Sequence, residues 1–431
     1  IGCDIMKFTE LSVKDFEDFA LKHDQISFHQ SKEWALLKKV NGWEAYYVGA
    51  LDGKKIVAAS LLLAKSTPIK KKMFYAPRGF LIDYENKEIL NFFTIGVKKF
   101  VRKKGGFFIK IDPYVSYRQR DVNGNIVDGG YCHDDIVSNL KELGYHHYGF
   151  KNGYQQLQPR FIFWLPLKNK TEEEIWDKFS KDTKRHINKT KKELLVLEEV
   201  TKDNIDDFCG IMEHTSKRRG FIDRPKSYYL RMLDVFGKHI KILSAVLYTD
   251  KALSYWKEQL SILEKDKVDK EKVVSETGSK KSKDALKQVE KEITEIKHNI
   301  SDLESIKEKY GSRIVLASSM FLMYGKEVLY LFSGSYKEFM KYNAQYLIQW
   351  EMIQYAIKNK YERYNFYGIE GKFDDENGVY GFKKGFDGEV VEFIGEFDLV
   401  VNKGYYYLYK MAFSMYHKFK HLKFSLSRKE H

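Results

Sequence analysis

The chain has 431 residues and a formal net charge of +14, from 74 Lys and Arg against 60 Asp and Glu. Its 43% hydrophobic and 15% aromatic content excludes a mostly disordered chain, while 29 Gly, 6 Pro and 3 Cys exclude collagen-like, mucin-like and disulfide-knot classes. The cationic excess favours a polyanionic partner: nucleic acid, anionic lipid heads or a phosphorylated substrate.

Met6-Lys7-Phe8-Thr9 reads as the natural start, with residues 1–5 a remnant set aside from fold reasoning. The N-terminus lacks the basic-then-apolar layout of a signal peptide. Cys3, Cys132 and Cys209 cannot all pair within one chain and match no zinc-ligand spacing, so the expected compartment is a reducing cytosol. No apolar run approaches the roughly 20 residues of a membrane-spanning helix. The longest run, residues 56–64, is interrupted by Ser60 and predicts a buried strand.

Near the N-terminus, Gln30-Ser31-Lys32-Glu33-Trp34 leads to Lys38, four residues beyond the indole, where a lysine ordinarily covers the ring. Strand-like 73–76 then runs through helix-like 87–102 to strand-like 106–112. Later, 328–333, 342–358 and 364–368 repeat that order, and the offsets Tyr75 to Asp112 and Tyr330 to Tyr367 are both 37. Equal spacing suggests two copies of one α/β unit. Asp112 ends an apolar strand before Pro113, where a carboxylate can position or take a proton or simply serve a turn.

His146 and His147 are adjacent, so their rings point apart, and a packed or solvated role is expected rather than metal binding. Six Lys/Arg against one Asp mark residues 181–192, with Lys184, Arg185, Lys189 and Lys192 the candidate phosphate-tracking cations. In Arg218-Arg219-Gly220-Phe221-Ile222-Asp223-Arg224, a helix begun near Pro225 would let Arg224 meet Tyr228 and clasp a phosphate.

Residues 250–310 contain no Pro and one Gly. Leu253, Trp256, Leu260 and Leu263, then Leu286, Val289, Ile293, Ile296, Ile300 and Leu303, follow a heptad rhythm on either side of a polar turn at 275–283. This predicts an antiparallel coiled-coil hairpin with arms of roughly 35 Å at about 1.5 Å per residue. The arm can close on itself or pair between chains into a homo-oligomer. With 14 Lys/Arg and 14 Asp/Glu it is neutral, so the whole excess of +14 lies in the body.

In Gly381-Phe382-Lys383-Lys384-Gly385-Phe386, partial burial of a lysine would aim its charge at a developing oxyanion; a solvated lysine in a hairpin is the alternative. The tail, residues 403–431, interleaves seven Lys/Arg with Tyr405, Tyr406, Tyr407, Tyr409, Phe413, Tyr416, Phe419 and Phe424. That composition suits either a membrane–water interface or a terminal helix packing its rings on the body. No phosphate loop, nucleophile elbow, HExxH pair or cofactor motif is present.

These groups together resemble the FemABX family of tRNA-dependent peptidyltransferases, close to its Fem and Mur-type members that carry a coiled-coil arm. The resemblance runs from about Met6 into the C-terminal region. It rests on Phe28-His-Gln-Ser-Lys-Glu-Trp34, Phe74-Tyr-Ala-Pro-Arg-Gly79, Ile111-Asp-Pro113, Arg224 with Tyr228, Tyr364-Asn-Phe-Tyr-Gly368 and Gly381-Phe-Lys-Lys-Gly-Phe386, in that order. Phe80 departs from the family, which commonly has Pro after Pro-Arg-Gly.

The resemblance implies an α/β (α+β) fold of tandem acetyltransferase-like (GNAT) domains. The first would comprise residues 6–154 with 390–431 packing on it, the second 155–249 and 311–389, and the inserted arm 250–310. It also implies transfer of Ser, Ala or Gly from aminoacyl-tRNA to the side-chain amine of the third stem-peptide residue of a peptidoglycan precursor. The acceptor would be lipid II or, failing that, the soluble UDP-MurNAc-pentapeptide. By the same resemblance Lys383 and Asp112 are catalytic, and Lys38, Arg224 and Tyr228 hold the precursor diphosphate. No metal or cofactor is expected beyond aminoacyl-tRNA as co-substrate, and the expected location is cytoplasmic, at the inner leaflet. Two rivals stand beside this reading. A GNAT-type acyltransferase on another amine lacks its pyrophosphate loop, since Arg102-Lys-Lys-Gly-Gly-Phe107 fails at the last position. An RNA-binding protein with a coiled-coil interaction arm explains the charge but not the combined motifs.

Overall fold

The computed structural model describes residues 6–153, 156–374 and 378–412. Among them are two mixed sheets of eight strands each. The first sheet runs Lys7–Glu10, Glu44–Asp52, Lys55–Ser66, Lys72–Ala76, Gly106–Ile111, Phe397–Val400 and Tyr145–His147, with Leu81–Ile82 beside Lys55–Ser66. The second runs Val196–Glu199, Ile240–Tyr248, Arg313–Tyr324, Glu327–Ser335, Arg363–Ile369, Phe161–Pro166, Glu389–Phe393 and Ser116–Gln119.

Both sheets follow one plan. Four antiparallel strands are followed by a helical crossover to a parallel fifth, through Lys87–Lys103 in the first sheet and Ala344–Lys358 in the second. A parallel pair requires such a crossover, which explains the equal offsets in the sequence. The halves also trade strands. Ser116–Gln119 pairs with Glu389–Phe393 in the second sheet, while Phe397–Val400 inserts beside Gly106–Ile111 in the first.

A shared apolar core joins the halves. Phe28, Trp34, Leu37 and Leu61 from the first pack in one cluster with Phe208, Tyr229, Met232, Met320 and Leu322 from the second. Helix Lys32–Lys39 meets helix Lys226–Phe236 at this seam.

The arm grows from a strand hairpin. Tyr248 and Arg313 face each other at the end of the antiparallel pair Ile240–Tyr248 and Arg313–Tyr324. At the equivalent place in the first sheet, Asp52 and Lys55 are joined by Gly53 and Lys54 alone. The arm therefore lengthens a turn without disturbing the ladder. Its helices are Thr249–Thr277 and Lys280–Tyr310, about 44 and 47 Å long at 1.5 Å per residue. They are longer than the sequence predicts because the break is confined to two residues. Gly278 caps the first helix in the left-handed region (φ 57°), and Ser279 caps the second by accepting from the Ser282 amide. The pairs Lys257–Glu304, Lys297–Glu264 and Lys267–Glu290 fix the antiparallel register within one chain.

At the base of the arm, Leu253, Ile296, Ile300 and Leu303 merge with the core of the second sheet. Leu303→Ala is expected to cost about 2–4 kcal/mol, whereas Ile262→Ala, at a position 52% exposed, should stay within about 0.5 kcal/mol. Urea denaturation of the two variants checks this.

Candidate functional site

In the second sheet the parallel pair keeps register only for Glu327–Leu329 against Arg363–Asn365. Beyond that point the strands part. A cavity of about 670 Å³ opens between them, lined by Tyr330, Gly334, Tyr346, Tyr367, Phe382 and Lys383 among others. The corresponding pair in the first sheet stays registered along Met73–Ala76 against Phe108–Ile111.

Lys383 lies on the short helix Gly378–Lys384 rather than in a hairpin, and is 5% exposed. Its Nζ donates to the carbonyl oxygens of Gly368 at 2.7 Å and Tyr367 at 3.4 Å. No carboxylate among the described residues pairs with it. Burial alone pushes its pKa down to about 7, so near neutrality the amine interconverts between charged and neutral forms. Behind it the chain is tightly packed: a Cβ at Gly385 would stand 2.3 Å from Thr183 Oγ1.

Asp112 is 3% exposed and does not line the cavity. One oxygen accepts from the Arg78 amide at 2.7 Å, the other from Tyr75 Oη at 3.0 Å. Burial raises its pKa to about 7 against the opposing pull of Arg78. The Arg78 guanidinium covers the Phe393 ring at 4.4 Å and donates to Pro159 O at 2.7 Å. Between about pH 4 and 7 the folded carboxyl holds a proton that the unfolded chain has released, so this group weakens the fold as pH rises through that window. Asp112→Asn is therefore expected to flatten the pH dependence of stability between pH 4 and 7, measured by urea denaturation at several pH values.

The structure brings Lys38, Arg224 and Tyr228 together at the seam. Lys38 Nζ covers Trp34 at 4.2 Å, so the lysine-over-indole arrangement is present. Its pKa falls to about 8 through burial first, then through the neighbouring charges of Arg224 and Lys65. Pro225 caps the helix Lys226–Phe236, placing Arg224 just ahead of it with its guanidinium 5.6 Å from the Tyr228 ring. Lys65, over Trp43 at 5.6 Å, is the member that sequence reasoning missed. It ends a strand far from both motifs, and only the fold brings it near. Three cations, each lying on a ring, thus concentrate positive charge at the seam, with Arg224 and Lys65 both acting on Lys38.

The seam and the cavity meet at Tyr367. Its phenol lies within electrostatic reach of Arg78, Asp112 and Tyr228, while its carbonyl faces Lys383. No direct contact joins Asp112 to Lys383.

The basic stretch forms helix Lys181–Lys192, with Thr183, Ile187 and Thr190 buried. Lys184 and Lys189 donate to the carbonyls of Asp177 and Lys341, Arg185 pairs with Asp182, and Lys192 is exposed. His186 of this helix lies 4.8 Å from the ring of Tyr346, which lines the cavity. Arg218 and Arg219 line the same cavity. Of the tail aromatics, Tyr406 and Tyr409 pack on Phe107 and Phe108, and Tyr405 and Tyr407 are exposed. Phe413, Tyr416, Phe419 and Phe424 lie outside the described residues. Among the described residues no helix is long and apolar enough to cross a membrane.

Two fused halves built on one plan set a cavity with a buried amine in its wall beside a cationic cluster at the seam. The FemAB family profile matches residues 11–414. Aminoacyltransferase FemA of Staphylococcus epidermidis is 31% identical over 414 residues, covering 94% of this chain and 98% of the relative. Aminoacyltransferase FemA of Staphylococcus aureus is 31% identical over 412 residues, covering 94% and 97%. A crystal structure of FemX superposes with a TM-score of 0.79 at 25% identity, covering 93% of this chain and 99% of that one. The chain belongs to the FemAB family and is an aminoacyltransferase.

Proposed function

We propose that this aminoacyltransferase moves Ser, Ala or Gly from aminoacyl-tRNA to the side-chain amine of the third stem-peptide residue of a peptidoglycan precursor, with lipid II as acceptor. The observation that carries this reading is the pairing of Lys383, buried in the cavity wall, with the Lys38–Lys65–Arg224 cluster at the adjoining seam. A phosphorylated acceptor held at the seam would extend its amine toward a donor ester in the cavity.

An aminoacyl ester is already activated, so the proposed transfer calls for no metal or cofactor. The acceptor nitrogen adds to the ester carbonyl and a tetrahedral oxyanion forms. The tRNA hydroxyl then leaves with a proton as the amide is completed. Charged Lys383, itself buried in the cavity wall, would stabilise the oxyanion. Asp112, with Tyr75, would help orient the amine or take up its proton. Lys38 and Arg224 would hold the diphosphate, with Tyr228 adding a hydroxyl donor. Arg218, Arg219 and the outer face of helix Lys181–Lys192 would receive the tRNA phosphates, making affinity fall with salt. The exposed Tyr405 and Tyr407 would face the inner leaflet of the membrane, placing the enzyme in the cytoplasm beside a lipid-linked substrate.

Radiolabelled Ser, Ala and Gly on their tRNAs, offered with Lys-containing lipid II and separately with UDP-MurNAc-pentapeptide, test the reading. One amino acid should appear on lipid II. Transfer to the nucleotide precursor alone would reassign the acceptor, and salt-sensitive tRNA binding without any transfer would favour the RNA-binding alternative.

A further inference from the structure

Tyr367 adopts φ 63° within the strand Arg363–Ile369. A bulky residue rarely occupies the left-handed region, and such strain persists only where its surroundings enforce it. Here the register against Phe161–Pro166 shifts between Asn365 and Gly368, so the backbone bulges at this residue. The bulge places the carbonyls of Tyr367 and Gly368 on Lys383 Nζ, which has no other hydrogen-bond acceptor among the described residues.

Two contacts hold the bulge. Within the strand, Asn365 Oδ1 accepts from the Tyr367 amide at 2.8 Å. From outside, Tyr367 Oη donates to Gln158 Oε1 at 2.9 Å. Gln158 belongs to the segment linking the halves, and that segment is itself pinned. The Leu157 amide donates to Glu396, Arg78 donates to Pro159 O, and Arg160 pairs with Glu392. The Gln158 side chain also faces His29 and Tyr75 of the first half, and Tyr75 donates to Asp112.

We propose that Gln158 and Tyr367 form a positioning clamp for Lys383, in which the Tyr367–Gln158 hydrogen bond holds the left-handed bulge whose two carbonyls fix Nζ in the cavity wall. Neither side chain needs to touch the reacting atoms; both act through Lys383. The clamp also ties the position of that amine to the first half, through Gln158, Tyr75 and Asp112. Its catalytic consequence rests on the proposed role of Lys383.

The test uses the full chain with Tyr367→Phe, Gln158→Ala, their double variant and Gln158→Glu, which keeps an acceptor oxygen for the phenol. The first readout needs no turnover: the rate at which acetic anhydride acetylates Lys383 at pH 7, followed by peptide mass spectrometry. Loss of the clamp frees Nζ from its carbonyls, so this rate should rise at least fivefold in each single variant and no further in the double, with Gln158→Glu near wild type. The second readout is aminoacyl transfer. Its kcat should fall about tenfold in the same three variants while both KM values stay within about twofold. An unchanged acetylation rate in Tyr367→Phe and Gln158→Ala, or effects that multiply in the double variant, overturns the clamp. Faster acetylation together with full transfer activity in Lys383→Ala leaves the clamp standing and removes the catalytic role of Lys383.

Discussion

Replacing Lys383 with Met is expected to lower kcat for aminoacyl transfer by about 10²–10³-fold while making the protein more stable. The rate loss follows from the proposed role of Lys383, because removing one preorganised charge from a developing oxyanion ordinarily costs that much. The stability gain follows from burial, because nothing among the described residues balances the ammonium except two neutral carbonyls. The folded-state pKa is about 7 against the usual 10.5, so between those values the unfolded chain binds the extra proton. The lysine therefore penalises folding fully below pH 7, and the penalty fades as pH rises toward 10.5. After allowing for the hydrogen bond lost by Gly368 O, the variant should be more stable than wild type by about 2 kcal/mol at pH 7. By pH 10 that gap should largely close. Urea denaturation at the two pH values, alongside single-turnover transfer, measures both halves. A variant less stable than wild type at pH 7 would contradict the burial argument.

The second large effect is expected at the seam. Arg224→Ala should raise the KM for a diphosphate-bearing acceptor about 10- to 100-fold, the range for losing a charge-assisted contact. Lys38→Ala should act similarly, and Lys65→Ala more weakly, about fivefold, because its charge bears less on half-buried Lys38 than that of Arg224 does. The pair Arg224→Ala with Lys38→Ala should be non-additive, since each charge disfavours the other in the empty site. None of these changes should affect transfer to a stem peptide lacking the diphosphate, and kinetics with the two acceptors tests the distinction. Equal losses with both acceptors would move the cluster's role away from phosphate.

Periodic features were legible in the sequence. Heptad spacing located both helices of the arm because each helix buries a stripe, at Val289, Ile293, Ile296, Ile300 and Leu303 in the second. The duplicated strand–helix–strand unit was legible because a parallel pair imposes a minimum crossover length. The polar composition of residues 275–283 implies a wider turn than the arm has: Thr277 stays helical, its hydroxyl donating to Val273 O, and Gly278 with Ser279 completes both caps.

Long-range relations were not legible. Ser116–Gln119 is too short and polar to reveal that it crosses to the second sheet, and the exchange with Phe397–Val400 depends on pairing more than two hundred residues away. Lys383 stood out through its motif, but its lack of a counter-charge among the described residues depends on which groups the fold leaves out of the cavity. Lys65 and Gln158 belong to no chemical pattern in the sequence, and Tyr367, although inside the Tyr364–Gly368 motif, gives no sign there of its left-handed backbone; each acquires its place from the seam between the halves.

The most direct measurement is mass spectrometry of Lys-containing lipid II after incubation with the full chain and each of seryl-, alanyl- and glycyl-tRNA, with Lys383→Ala in parallel. The account predicts a mass gain of one of these residues, located by fragmentation on the side-chain amine of the third stem residue, and its near loss in the variant. A gain at any other amine, or one of equal size in Lys383→Ala, would contradict it.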